Sequence, residues 1–193
     1  NIDLVKMQNL FFNYCENNYK IENVYSALLN SFEEVTFQTE KKFRITKETS
    51  LEIHANDIES MFPGSKFIHL VRNPLDNFAS INSGLKSYYK NFNDTFFSLL
   101  HSLIDRVNLG LRCGLKNRVQ FGEDRYLFVR YEDLVESPEN TIPRILKFVG
   151  VPPDTCCFSP SVLGYATPGN SFVEEKQYKI TNARIVTYKS TLN

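Results

Sequence analysis

The chain has 193 residues, of which 42% are hydrophobic, and this is enough apolar side chain to form a globular core. Its 22 basic residues balance 22 acidic ones, so the overall charge gives no reason to expect binding to nucleic acid or to a membrane surface. Any site for an anion must therefore be built locally from a few side chains.

The first third of the chain is predicted to be mainly helical. Apolar side chains recur at helical spacing over residues 3–18, and a second helix is predicted over Glu22–Phe32. A charged turn at Thr39–Lys42 leads into a short predicted strand at Phe43–Thr46. The pattern of Leu51–Met61 then predicts another helix.

A buried strand is predicted over Lys66–Val71, because a nearly continuous apolar run is typical of a strand covered on both faces in a parallel sheet. His69 lies within this run and is predicted to be a hydrogen-bonded core histidine. Asn73 is a good N-cap for a helix that begins at Pro74, and Asp76 is placed to complete the capping interaction.

The remaining elements continue the alternation of helix and strand. A long amphipathic helix follows Asp94, and Tyr126–Val129 is a second apolar strand. Another helix starts at Ser137-Pro138 and ends at Gly150, and Pro143 inside it is expected to kink the helix or delay its start. Strands that alternate with helices predict an α/β fold with a central parallel sheet flanked by helices.

The junction after the first buried strand is the best candidate for a ligand site. Arg72 stands at the carboxyl end of that strand, where open α/β sheets bind ligands, and beside a helix N-terminus, which favours anions. A guanidinium fits phosphate oxygens, and Ser80 offers a hydroxyl donor eight residues later. The pattern indicates a phosphate clamp or, alternatively, an Arg72 that only caps the helix or pairs with Asp76.

Two blocks of this sequence resemble sulfotransferases. The run FPGSKFIHLVRNPLDNFASINSG resembles the segment with which that family binds a 3'-phosphate, and Arg72 and Ser80 stand at the family's Arg and Ser positions. The run FVRYEDLVESPENTIPRILKFVGVP resembles the family's strand–YEDL–helix block, which implies that Tyr131 lies near the adenosine 3'-phosphate and base. The similarity covers roughly residues 43–190 and is greatest to the branch of tyrosylprotein and bacterial carbohydrate sulfotransferases.

The resemblance implies a three-layer, P-loop-like fold, formed by residues 1–193 as a single domain that is incomplete at its N-terminus. It implies transfer of a sulfuryl group from 3'-phosphoadenosine 5'-phosphosulfate (PAPS) to an acceptor hydroxyl of a sugar, a tyrosine or a small alcohol. The product nucleotide would be 3',5'-adenosine bisphosphate (PAP), and no metal is required. The alternative is a non-catalytic module that binds the nucleotide or a sulfated ligand.

Further site residues follow from the same resemblance. Lys47 matches the lysine of the family's Lys-x-Pro or Lys-Thr-Pro motif, although Thr49 stands where proline is usual, and would neutralise charge at the sulfuryl group. An ordinary solvated lysine is the alternative. Ser171 matches a serine on the phosphosulfate side. The run Ala183–Lys189 resembles the family's closing motif, in which the family's basic residue falls on Thr187, and either Arg184 or Lys189 is a candidate substitute. His54 is a candidate general base, with a structural role as the alternative.

Several features are missing from the sequence. Neither the family's 5'-phosphosulfate loop nor a GxxxxGK[ST] motif occurs, which predicts that the loop lies upstream of Asn1 in a longer chain. The four cysteines form no CxxC pair and no Cys/His cluster, so we expect no metal site and favour the cytoplasm over the Golgi lumen. No apolar run approaches the roughly 18 residues of a membrane span.

Overall fold

The structure is a computed structural model. It describes residues 2–36, 43–88, 96–159, 161–162, 165–166, 180–183 and 185–191, with only the backbone at 85–88, 96, 162, 166 and 191. The chain divides into two compact units, one of residues 1–51 and 56–63 and one of residues 52–55 and 64–193. The expected single domain over residues 1–193 stays a prediction.

The first unit contains a pair of packed helices, α1 (Leu4–Cys15) and α2 (Ile21–Val35). The Asp3 side chain caps α1 by accepting a hydrogen bond from the backbone N–H of Lys6 at 2.9 Å. Ala27 of α2 and Cys15 of α1 are buried in this unit. Both helices predicted in this part of the sequence are confirmed.

The predicted strand at Phe43–Thr46 is wrong, because residues 43–48 have no regular secondary structure. The Arg44 guanidinium instead donates to the two carboxylate oxygens of Glu33 on α2, at 2.8 and 3.0 Å. The segment is therefore held to α2 by a side chain and not by strand pairing. The helix predicted over Leu51–Met61 is present as a 3₁₀ turn at Leu51–His54 followed by α3 (Ala55–Met61).

A parallel pair of strands forms the centre of the second unit. The strands β1 (Phe67–Val71) and β2 (Tyr126–Arg130) are in register from Phe67 opposite Tyr126 to Val71 opposite Arg130. This arrangement confirms the predicted α/β class with a parallel sheet flanked by helices. The other elements of this unit are α4 (Pro74–Tyr88), α5 (Phe96–Phe121), α6 (Tyr131–Glu136), α7 (Pro138–Val149), the short antiparallel strands β3 (Ser161–Val162) and β4 (Tyr165–Ala166), and α8 (Tyr188–Thr191).

Helix α5 packs closely on one face of this sheet. His69 Nδ1 lies 2.8 Å from the Tyr126 hydroxyl, and the His69 ring stacks on Phe128 with 4.8 Å between centroids. A Cβ at Gly114 would lie 2.5 Å from His69 Nδ1, so only glycine fits there without a shift of its neighbours. Burial lowers the pKa of His69, although the charge of Glu52 acts in the opposite direction. The prediction that His69 is hydrogen-bonded within the fold is confirmed, although the side chain is half-buried and not fully buried.

The opposite face of β1 is more open than the sequence predicted. Ile68 is 41% exposed and Leu70 is 53% exposed, so the prediction of a strand buried on both faces is wrong. On the neighbouring strand, Val129 is fully buried. Within the described residues, the second face of the sheet is therefore buried at Val129 of β2 but open to solvent at Ile68 and Leu70 of β1.

Helix α7 begins where the sequence predicted, whereas the short helix α6 before it was not expected. Helix α7 starts at Pro138 directly after Ser137, so Pro143 inside the helix has not delayed its start. The carbonyl group that Pro143 cannot bond belongs to Glu139, which is exposed to solvent in the first turn. As predicted, α7 ends at Gly150, whose φ of 88° is the left-handed conformation that glycine adopts readily.

Candidate functional site

The two parallel strands end side by side, and each is followed by a helix. Val71 pairs with Arg130, so Arg72 and Tyr131 are the first residues beyond the two strand ends. The guanidinium carbon of Arg72 lies 4.6 Å from the centroid of the Tyr131 ring, which is a cation–π contact. The structure thus brings together two residues that came from separate blocks of the sequence.

Glu132 fastens the two strand ends to each other. Its Oε1 atom accepts a hydrogen bond from the backbone N–H of Asn73 at 2.8 Å, and its Oε2 atom lies 3.8 Å from Nε of Arg130. The residue is only 8% exposed, so its charge depends on these partners. Sequence reasoning missed Glu132. The available signal was an acidic residue in the first turn of a helix that directly follows a strand.

The start of α4 offers the helix N-terminus that the sequence predicted. Asn73 Oδ1 accepts a hydrogen bond from the Leu75 N–H at 2.9 Å, which confirms Asn73 as the N-cap. The positive end of the helix dipole therefore lies next to Arg72. Ser80 is half-buried on the same helix, two turns beyond Asn73. The proposed contacts of Arg72 and Ser80 with a phosphate stay predictions.

Asp76 has a different role from the predicted one. It is 1% exposed, and its Oδ2 atom accepts a hydrogen bond from the Val186 N–H at 2.9 Å. Its Oδ1 atom accepts from the Tyr188 N–H at 3.1 Å and from the Thr187 hydroxyl at 3.2 Å. The expectation that Asp76 completes the cap of its own helix is wrong, because the carboxylate binds the C-terminal segment instead.

The other predicted site residues belong to different parts of the chain. Lys47 is exposed in the irregular segment of the first unit, whereas Arg72, Ser80 and Tyr131 belong to the second. His54 is exposed at the end of a 3₁₀ turn. Lys189 is exposed on α8, and Ser171 lies outside the described residues. The roles assigned to Lys47, His54, Ser171 and Lys189 stay predictions.

A surface cavity of about 320 Å³ lies where α6 meets α7. Its lining does not include Arg72, Ser80 or Tyr131, and it sets two carboxylates against one guanidinium, which is a poor match for a phosphate. The lining residues are Asp133, Glu136, Ser137, Asn140, Thr141 and Arg144. The strand ends therefore remain the better candidate site.

Two further observations concern only the part of the chain that the structure describes. It has no group of three or more His, Cys, Asp and Glu side chains arranged to hold a metal ion. None of its helices combines the length and the apolar character that crossing a membrane requires.

The fold and the site define an α/β protein in which two parallel strands lead into helices beside an arginine that stacks on a tyrosine. A profile of the sulfotransferase family matches residues 5–155, which is more than half of the chain. The chain therefore belongs to the sulfotransferase family, and the resemblance seen in the sequence is confirmed at the level of the family.

Solved sulfotransferase domains have the same fold. The sulfotransferase domain of the Synechococcus PCC 7002 olefin synthase has 24% identity and a TM-score of 0.60, over 95% of this chain and 68% of that one. The sulfotransferase domain from the curacin biosynthetic pathway has 18% identity and a TM-score of 0.51, over 80% of this chain. The match spans 59% of the curacin domain's own length. No curated protein matches the chain.

Proposed function

We propose that this chain carries the nucleotide-binding part of a sulfotransferase that moves a sulfuryl group from PAPS to an acceptor hydroxyl. The observation that carries the proposal is the stack of Arg72 on Tyr131 at the adjacent ends of two parallel strands. A fixed guanidinium beside a helix N-terminus is a suitable site for a phosphate group, and membership of the sulfotransferase family makes PAPS the natural donor.

The side chains present at this corner fit the 3'-phosphate of an adenosine nucleotide. Arg72 supplies a planar charged donor. Its stack on Tyr131 already restricts the arginine side chain, so less conformational entropy is lost when a phosphate binds. The first turn of α4 adds the positive end of a helix dipole, and Ser80 adds a hydroxyl donor on the same helix. The aromatic ring of Tyr131 is a suitable neighbour for the adenine base.

Bound PAPS supplies an activated sulfuryl group whose leaving group is PAP. In the proposed reaction, the nucleotide part of PAPS is held by four side chains, those of Arg72, Ser80, Tyr131 and Lys189. This orients the donor so that the acceptor oxygen attacks sulfur in line with the leaving oxygen. Lys47 and Ser171 stabilise the negative charge that develops at the sulfuryl group and the bridging oxygen. His54 is proposed to accept the proton of the acceptor hydroxyl, which belongs to a sugar, a tyrosine or a small alcohol.

Isothermal titration of the protein with PAP tests the nucleotide site. Arg72→Ala removes the charged donor, and we expect the Kd for PAP to rise about 10- to 100-fold, since hydrogen bonds to charged groups contribute about 1.5–3 kcal/mol. Arg112→Ala removes an exposed arginine from α5 and is the matched control, expected to bind PAP like the wild type. An Arg72→Ala protein that binds PAP as tightly as the wild type would refute the assignment.

A transfer assay separates the enzyme from the non-catalytic alternative. The full-length protein is incubated with labelled PAPS and a panel of sugars, tyrosine peptides and small alcohols. Label on one acceptor class, lost in Arg72→Ala, would support the proposal and identify the substrate. Tight binding of PAP without transfer to any acceptor would favour a module that binds the nucleotide without turnover.

A further inference from the structure

A single buried carboxylate holds the C-terminal segment to the first turn of α4. The three residues Val186–Tyr188 give Asp76 two backbone N–H donors and one hydroxyl donor, all between 2.9 and 3.2 Å. Hydrogen bonds to a charged acceptor are about twice as strong as neutral ones. The 1% exposure of Asp76 adds to this, because water competes little for its oxygens.

The segment held by Asp76 is conformationally strained. Val186 has a φ of 60°, in the left-handed region that a β-branched residue rarely adopts. Such a conformation persists only where the surrounding structure holds it, and strained residues of this kind cluster at binding sites and clamps. The N–H of Val186 itself donates to Asp76, so the carboxylate compensates for the strain at the residue that carries it.

The strained turn leads directly into α8. Tyr188 is the first residue of α8, and its N–H also donates to Asp76, so the carboxylate acts as the N-cap of this helix from a distant part of the chain. Lys189 follows immediately, and α8 packs against α4. Asp76 lies in the first turn of α4, three residues beyond its N-cap Asn73, so the clamp is at the same end of this helix as the proposed phosphate site.

We propose that Asp76 is a positioning residue of the nucleotide site. By clamping the strained turn, it holds α8 and Lys189 beside the start of α4, so that the affinity for PAP depends on a segment 110 positions away in the sequence. This inference rests on the proposed function. Asp76 need not touch the nucleotide, because it acts through the turn and through Lys189.

The clamp can first be tested without any nucleotide. Asp76→Asn keeps the size of the side chain but replaces one acceptor oxygen with an amide nitrogen, which cannot accept a hydrogen bond. We expect amide hydrogen exchange at Val186 and Tyr188, followed by NMR, to accelerate about ten-fold or more as the turn opens locally. Asp154→Asn is the matched control, since Asp154 accepts from the Cys156 N–H at 2.8 Å and caps a different short helix. Unchanged exchange in Asp76→Asn would overturn the inference.

The second test couples the clamp to nucleotide binding. We expect Asp76→Asn to weaken PAP binding about ten-fold, and Lys189→Ala to weaken it several-fold in the wild type but hardly at all in Asp76→Asn. Equal PAP affinity in wild type and Asp76→Asn, or fully additive effects of the two substitutions, would overturn the inference.

A milder variant covers the case in which Asp76→Asn does not fold. Thr187→Val removes only the hydroxyl donor and should weaken PAP binding about three-fold. In this variant, the further substitution Lys189→Ala should again change the Kd for PAP very little. Thr187→Val binding like the wild type would count against the clamp. A third outcome separates the two proposals. If the folded wild type binds no PAP, while Asp76→Asn still accelerates exchange at Val186 and Tyr188, the clamp exists but the proposed function is wrong. The role of Asp76 in nucleotide binding is then wrong as well.

Discussion

A single methyl group added at Gly114 should destabilise the second unit, because α5 crosses the sheet there without room for a side chain. A Cβ at this position would lie 2.5 Å and 2.7 Å from two atoms of His69 and 2.8 Å from Cζ of Phe128. Favourable carbon contacts lie at about 3.5–4.0 Å, so all three contacts are repulsive. Neither ring can move away freely, because they stack on each other and His69 is hydrogen-bonded to Tyr126.

Gly110 on the same helix allows the cost of this clash to be measured. A Cβ there would meet only the Glu52 carboxylate, with Oε1 at 2.9 Å, and that flexible side chain can turn aside. Alanine is favoured over glycine in a helix interior by about 0.8–1 kcal/mol at both positions, so this gain cancels in the comparison. Overpacking costs about 1–3 kcal/mol, so Gly114→Ala should be less stable than Gly110→Ala by about that amount.

Urea unfolding followed by circular dichroism measures the difference. With a denaturant slope of about 2 kcal/mol per molar urea, a difference of about 2 kcal/mol moves the midpoint by roughly 1 M. The urea midpoint of the wild type should lie between the midpoints of the two variants, or close to that of Gly114→Ala. A midpoint for Gly114→Ala equal to or above that of Gly110→Ala would refute the close packing of α5 on His69 and Phe128.

Three further outcomes are expected. Because burial lowers the pKa of His69, the unfolded state takes up its proton first, so the free energy of unfolding should fall as the pH drops below about 6.5 and level off below the folded-state pKa. Urea midpoints between pH 7.5 and 5 measure this dependence, and a drop that persists in full in His69→Gln would contradict it. Asn73→Ala removes the cap of α4 and should cost about 1 kcal/mol of stability. Asn73→Asp should keep the cap but weaken PAP binding, since it places a negative charge beside the proposed phosphate site, and unchanged PAP affinity in that variant would argue against the site.

The strands and helix ends of the second unit were predictable because their signals are local. A continuous apolar run marks β1, the side chain of Asn73 caps the helix that follows it, and Gly150 ends α7 by its left-handed backbone. The exposure of Ile68 and Leu70 was not predictable in the same way. Whether the second face of a strand is covered depends on where distant helices pack, and an apolar run does not encode this.

The two buried carboxylates show the same limit. Local rules assigned Asp76 to its own helix, and Glu132 attracted no prediction, because their donors come from residues that are distant in sequence. The contact of Arg72 with Tyr131 depends likewise on the parallel register that sets Val71 opposite Arg130. The family resemblance suggested that both residues serve one ligand, whereas spacing along the chain could not have paired them.

The long interval between Asp76 and its donors has a consequence for synthesis. At about 5–20 residues per second, a ribosome needs roughly 6–22 s to add the 110 residues that separate Asp76 from Val186. Until then the carboxylate has to stay hydrated, because burying it without donors is costly. The beginning of α4 therefore gains its full set of contacts only after Val186 has been synthesised, and a chain that stops before Val186 should keep the Asp76 carboxylate in water instead of burying it.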